Sequence, residues 1–149
     1  MTSFRFRLER VLDWRRTELS LAEARFRRQA AALAALDRQR ASLDAASIRA
    51  EMSVRDAARV EGLDLAALDG FRRYAAARRL ALAAARAKAK AELDTLQSAM
   101  LAARQRLRLL ERLRERRQDE WREEFDRELD QLAAESHLAR LSAAGRLLP

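Results

Sequence analysis

The chain contains little of what enzymes and metalloproteins use for chemistry. Among its 149 residues there is no cysteine, one histidine, one proline and three glycines. The lack of cysteine removes disulfides, thiol catalysis and Cys-based metal sites. His137 alone cannot build a His-based triad or an HExxH zinc site, and three glycines cannot form the loops that cradle phosphates. We therefore expect a protein that is not an enzyme and uses no metal, cofactor or small-molecule substrate.

Bulky side chains and long apolar runs are also scarce. Five Phe, two Trp and one Tyr favour a thin seam between helices over the thick core of an enzyme domain. No apolar run approaches the roughly 18 residues of a membrane span. Charges interrupt the apolar pairs of the first 16 residues, which a signal peptide would not allow. The sequence therefore predicts a cytosolic protein.

What the chain does contain is typical of a long helix or coiled coil. Charged residues make up 36% and apolar residues 49%, the latter high only because alanine counts as apolar. The formal net charge is +8, and nearly all the basic residues are arginines. Such a balance favours an acidic partner: nucleic acid, an anionic membrane surface or an acidic protein face.

The strongest helix signal covers residues 104–132. This stretch has no Pro, Gly or β-branched residue and is filled with good helix formers. Seven arginines between 104 and 117 are followed by seven carboxylates between 119 and 130. Its large apolar residues recur at helical spacing and form one stripe: Leu107, Leu110, Leu113, Trp121, Phe125, Leu129 and Leu132. The stripe requires a partner helix, and the charge pattern indicates a docking segment.

A first helix is predicted from about residue 4 to about residue 60, with Ser3 as its N-cap. Trp14 and Leu21 fall off its seam, so Trp14 is a candidate contact for another protein. The apolar seam has heptad spacing and consists of Leu8, Leu12, Leu19, Ala22, Phe26, Leu33, Leu36, Leu43, Ala50, Val54 and Ala57. Four polar residues interrupt it: Arg15, Gln29, Arg40 and Ser47.

A turn is predicted at about 61–69, followed by a second helix at about 70–143. Gly62 suits the left-handed residue that ends a helix, Asp64 can cap the next one, and Gly70 gives a second break. A turn here lets the chain cover its own apolar stripe, with Leu33 and Leu36 facing Leu93. The predicted fold is therefore all-α, a single long antiparallel two-helix coiled-coil hairpin spanning 1–149. A straight-helix dimer stays open, because the same heptads would serve a second copy.

The second helix is predicted to be longer than the first. Residues beyond about Glu128 then have no counterpart, so four leucines form an overhanging amphipathic end and a candidate binding surface: Leu129, Leu132, Leu138 and Leu141.

Two segments of the chain resemble the flagellar export protein FliJ family and its injectisome relatives. The first is FRFRLERVLDWRRTELSLAEARF at 4–26, and the second is LERLRERRQDEWREEFDRELDQLAAESHLAR at 110–140. With the chain length and the single turn, the resemblance covers nearly the whole protein. It implies an antiparallel coiled coil similar to the stalk subunit of rotary ATPases.

The resemblance also implies partners. The paired terminal ends of the family enter the hexameric export ATPase, the mid-hairpin surface engages the cytoplasmic domain of the membrane export gate, and export chaperones bind as well. We then expect a monomer in the cytoplasm, peripherally associated with the inner membrane through the export apparatus. Candidate ATPase contacts are Leu8, Leu12, Trp14, Arg112, Arg116, Trp121 and Phe125; candidate gate contacts are Phe71 and Tyr74.

Two other functions remain as alternatives. One is a generic coiled-coil scaffold or chaperone that dimerises through the overhanging end. The other is a basic helical protein associated with DNA, since the arginines at 104–117 can neutralise several phosphates. The aromatics are too few for a base-stacking platform, and we expect no nucleic-acid partner.

Overall fold

A computed structural model describes residues 3–145 and confirms the all-α class. Helix α1 is Glu9–Arg55 and helix α2 is Gly62–Gly145, and no strand occurs among the described residues. The break between them rules out a single continuous helix. Both helices are rich in Ala, Leu, Arg and Glu, which explains why segments of this length stay helical.

The first helix begins later than the sequence predicts. Residues 3–8 are not helical, so Ser3 is not the N-cap, and α1 starts at Glu9. The amide of Glu9 donates to the carbonyl of Phe6 at 3.2 Å, and the amide of Leu12 donates to that of Leu8 at 2.9 Å. We call residues 3–8 the N-terminal arm.

The connection lies at residues 56–61, and the predicted turn at 61–69 is wrong. Gly62 is the first residue of α2 rather than the end of α1, and no described residue has a positive φ angle. The carboxylate of Asp64 accepts a hydrogen bond from the amide of Glu61 at 3.0 Å, and the carbonyl of Glu61 accepts from Asp64 and Leu65. Glu61 is therefore the N-cap, and Asp64 reaches back to it as the third residue of a capping box does.

Gly70 lies inside α2 and breaks nothing. A side chain at this position would meet no atom within 4 Å, so neither backbone conformation nor close packing requires glycine there. The predicted second break is thus wrong, because a helix interior tolerates one glycine at a cost of about 1 kcal/mol.

The helices contribute to two compact units: residues 18–103 form one, and the described residues of 1–17 and 104–149 form the other. We call them the turn unit and the terminal unit.

In the turn unit, ion pairs at seven-residue spacing join α1 to α2. Positions rise along α1 as they fall along α2, so the helices pair as a hairpin in this unit. The three pairs are Asp37–Arg86 at 2.6 Å, Asp44–Arg79 at 2.8 Å and Glu51–Arg72 at 3.2 Å. All six side chains are about half exposed, so each pair contributes roughly 0.2–1 kcal/mol.

Two of the predicted polar seam residues find partners across the turn unit. The amide nitrogen of Gln29 donates to the carbonyl of Ala89 at 3.1 Å and to the carboxylate of Glu92 at 3.0 Å. The hydroxyl of Ser47 donates to the carbonyl of Leu43 at 2.9 Å and accepts from Arg79 at 3.0 Å. Hydrogen bonding offsets the cost of placing polar groups on the seam.

The buried side of α2 in the turn unit is mostly alanine. Its buried residues are Ala75, Leu82, Ala89 and Ala103. Small side chains on a seam let two helices approach closely but bury little apolar area, so this packing is thin, as the scarcity of bulky residues predicts.

The terminal unit packs the start of α1 against α2. Leu12 is fully buried and Leu107 nearly so. Arg114 Nε lies 3.3 Å from a carboxylate oxygen of Glu9, close enough for ion pairing but misaligned for a hydrogen bond.

Candidate partner-binding site

Three aromatic rings meet in the terminal unit. The ring of Phe4, on the N-terminal arm, lies 6.1 Å from that of Trp121 on α2, tilted by 52°. Trp121 stacks on Phe125 one helical turn later, with centroids 5.3 Å apart and planes 20° apart. All three rings are only half-buried, so each keeps apolar surface available to a partner. Stacked and tilted aromatic pairs also hold one another in place.

An open groove of about 880 Å³ runs between the N-terminal arm and α2, and we call it the aromatic groove. Charges of both signs line it, and Arg117 pairs with Glu120 at 2.9 Å within α2. Aromatic surface edged by charge is the kind of surface that protein partners anchor on. The groove is lined by Ser3, Phe4, Arg5, Phe6, Arg7, Leu8, Leu113, Arg117, Glu120, Trp121 and Glu124.

The predicted contacts on α1 have different surroundings. Leu12 is fully buried, so it belongs to the packing of the terminal unit and not to its surface. Leu8 is partly exposed and lines the aromatic groove. Trp14 is 57% exposed, and the guanidinium of Arg15 lies 4.5 Å from the centre of its ring. Leu8 and Trp14 are therefore available to a partner, and Leu12 is not.

The predicted arginines of α2 are exposed. Neither Arg112 nor Arg116 lies within ion-pairing distance of a carboxylate among residues 3–145, whereas Arg114 contacts Glu9. An unpaired guanidinium keeps its capacity for bidentate hydrogen bonds to a carboxylate or phosphate.

Beyond Phe125, every residue from 126 to 144 is exposed. Leu129 and Leu132 continue the side of α2 that carries Trp121 and Phe125. Leu138 and Leu141 do not, because the six residues from Leu132 to Leu138 turn the helix by about 240° at 3.6 residues per turn. The four leucines therefore do not form the single amphipathic overhang that the sequence analysis predicts.

The predicted gate contacts lie in the turn unit. The rings of Phe71 and Tyr74 are 6.1 Å apart, with Tyr74 58% exposed and Phe71 half-buried. They line an open groove of about 670 Å³ that crosses both helices, together with Ala35, Arg38, Gln39, Ser42, Leu43, Ala46, Arg78 and Leu82.

The sequence analysis misses two features of these surfaces. Phe4 and Phe6 were predicted to be helical, but they lie on the non-helical N-terminal arm, and the contact of Phe4 with Trp121 is tertiary. The three ion pairs that join α1 to α2 in the turn unit, which we call the ion-pair ladder, could also have been predicted from the sequence. Their three acids and their three arginines each recur every seven residues.

Other kinds of site are not found among residues 3–145. No group of His, Asp or Glu residues could hold a metal ion there, and no helix there combines the length and hydropathy that a membrane crossing requires. No protein-family profile, curated protein or solved structure matches this chain.

Proposed function

We propose that this protein is a stalk-like, non-enzymatic component of a flagellar-type protein export apparatus. In this proposal α1 and α2 pair as an antiparallel coiled coil, and the protein helps couple the hexameric export ATPase to the membrane export gate and to export chaperones. The opposed ion pairs of the turn unit and the resemblance of residues 4–26 and 110–140 to the FliJ family support it.

The aromatic groove is the observation on which the proposal rests. The N-terminal arm and α2 together display Phe4, Trp121 and Phe125. Arg112 and Arg116 are exposed on another side of α2 in the same terminal unit, with no ion-pairing partner among residues 3–145. The family resemblance assigns ATPase binding to the paired terminal ends. Aromatic residues and arginines are also the residue types that contribute most binding energy at protein interfaces.

The groove around Phe71 and Tyr74 is the proposed contact for the export gate. Its open, shallow form and its aromatic pair suit a transient protein contact rather than a small molecule, which needs an enclosed pocket. In this proposal the protein acts in the cytoplasm, at the cytoplasmic face of the inner membrane.

A genetic experiment tests the proposal. Deleting the gene should stop or strongly reduce flagellar-type protein export in the organism that encodes it, and the wild-type gene should restore export. A Trp121→Ala/Arg116→Ala variant should fail to restore it at equal protein level. Normal export in the deletion strain would contradict the proposal.

A further inference from the structure

We propose that α2, from Trp121 to Leu132, docks a basic amphipathic helix of a partner protein. We call its four apolar residues the terminal stripe: Trp121, Phe125, Leu129 and Leu132. This inference rests on the proposed function, because it specifies what the export partner presents to the terminal unit.

The terminal stripe is a helix seam that no helix among residues 3–145 covers. Its members are spaced by four, four and three residues, which places them on one side of α2. Trp121 and Phe125 are half-buried, whereas Leu129 is 39% and Leu132 56% exposed. The N-terminal arm covers part of Trp121 through Phe4, and the exposure is greater at Leu129 and Leu132. The stripe spans about 17 Å at 1.5 Å per residue, which is about three turns of a docked helix.

Five carboxylates around the terminal stripe have no cation, and three of them lie along one edge of it. None of the five has an ion-pairing partner among residues 3–145. At 100° per residue, Glu124, Glu128 and Glu135 fall along one edge of the stripe. Asp126 and Asp130 lie about 60–100° past the other edge, beyond Arg122.

The other carboxylates of this part of α2 are paired with arginines, which sets the five apart. Glu120 lies 2.9 Å from Arg117 and Asp119 lies 3.5 Å from Arg122. Arg127, the remaining cation of this stretch, lies 3.4 Å from Glu123. The local cations are thus engaged with other acids, and the edge that carries Glu124, Glu128 and Glu135 keeps an uncompensated negative charge.

The negative charge around the terminal stripe indicates which kind of partner can bind there. Residues 119–135 hold eight carboxylates and two arginines, a formal charge of −6 in a chain of net charge +8. A second copy docked through the same stripe would bring two such segments together, and nucleic acid or an anionic membrane would also be repelled. A helix with apolar residues on one side and Lys or Arg beside them complements the stripe and the edge that carries Glu124, Glu128 and Glu135, as coiled-coil edge charges do.

The experiment titrates the full-length protein with two designed helical peptides. Both have the same three apolar heptads, one with lysine and the other with glutamate at the positions that flank the seam. We expect the lysine peptide to bind at least about tenfold more tightly at low salt, and this preference to shrink as salt screens the charges. Equal binding of the two peptides, or binding of neither, would overturn the inference.

Variants locate the binding. Leu129→Ser/Leu132→Ser should weaken the lysine peptide by about tenfold, and Glu124→Lys/Glu128→Lys should shift the preference toward the glutamate peptide. The matched control is Leu80→Ser, which removes a leucine of α2 that is 75% exposed and lies in the turn unit. Helix content is measured for each variant by circular dichroism. An equal loss in the control would place the binding elsewhere and refute the assignment.

The peptide titration contains no export protein, so its result is separate from that of the export experiment. If the protein discriminates between the peptides but its deletion causes no export defect, the docking surface is supported and the proposed function is contradicted. If deletion causes an export defect but the peptides bind equally, the proposed function is supported and the docking surface is contradicted.

Discussion

Leu12 and Trp14 lie two positions apart in α1 and have opposite surroundings. Leu12 is fully buried in the terminal unit, and Trp14 is 57% exposed beside Arg15. Heptad spacing predicts this difference, because Leu12 falls on the seam and Trp14 does not. Both residues had nevertheless been candidates for the same partner contact. Periodicity indicates which side of a helix is covered, but it cannot tell whether the cover is the chain itself or another protein.

The Leu12→Ala variant tests the burial of this residue. We expect the free energy of unfolding to fall by about 2–3 kcal/mol, since the change removes a fully buried side chain and leaves a cavity. Chemical denaturation followed by circular dichroism measures it. The control is Leu21→Ala, which alters a leucine of the same helix that is 55% exposed and should cost less than about 0.5 kcal/mol. Similar effects for the two would mean that Leu12 is not a core residue.

The Gly70→Ala variant tests a residue that was predicted to break the helix and instead lies inside α2. The helix continues through Gly70, and an added methyl group meets nothing within 4 Å. Alanine should therefore raise the free energy of unfolding by about 0.5–1 kcal/mol, through its lower backbone entropy in the unfolded chain. A lower midpoint of denaturation in this variant would show that position 70 is not helical.

At the scale of the helices, the helical structure of both elements could be predicted from the sequence, but the residues at which they begin could not. Composition and heptad spacing predict two long helices. Helix α1 begins at Glu9 and α2 at Gly62 because of contacts that cannot be predicted from the residue type at either position. The N-terminal arm stays outside α1, and Phe4 of the arm contacts Trp121. Helix α2 starts where the Asp64 carboxylate accepts a hydrogen bond from the amide of Glu61. Such choices are made by tertiary contacts and side-chain capping, which override propensity.

The ion-pair ladder gives a prediction about how the two helices align. The Asp44→Arg and Arg79→Asp variants should each lower stability, and the double variant should recover part of the loss because it restores an opposed pair. The coupling free energy should be about 0.2–1 kcal/mol, as for other exposed pairs, and should fall with added salt. A double-mutant cycle by denaturation measures it, and zero coupling at low salt would show that the two side chains do not meet.

For the whole molecule, the sequence predicts that a partner-binding surface contains aromatic residues better than it predicts which residues form that surface. Trp121 and Phe125 stand out as the only large aromatics in the charged part of α2, and the structure brings them together. Phe4 joins them from the other end of the chain, a contact that spacing within one helix cannot reveal. The prediction that Leu138 and Leu141 share one overhang with Leu129 and Leu132 is wrong for the opposite reason. Helix geometry alone places them on another side of α2.

The proposed role depends on one interaction more than on any other, that of the terminal unit with the hexameric export ATPase. The most direct test is the affinity of the purified protein for the purified ATPase, measured for the wild type and for two variants. Trp121→Ala/Arg116→Ala removes an aromatic and an arginine from the terminal unit. Tyr74→Ala/Arg78→Ala removes the same residue classes from the groove of the turn unit.

We predict that the wild type binds the ATPase, that the first variant binds at least about tenfold more weakly, and that the second binds as the wild type does, all with the same helix content. Unchanged affinity in the Trp121→Ala/Arg116→Ala variant, or no binding by the wild type, would contradict the account.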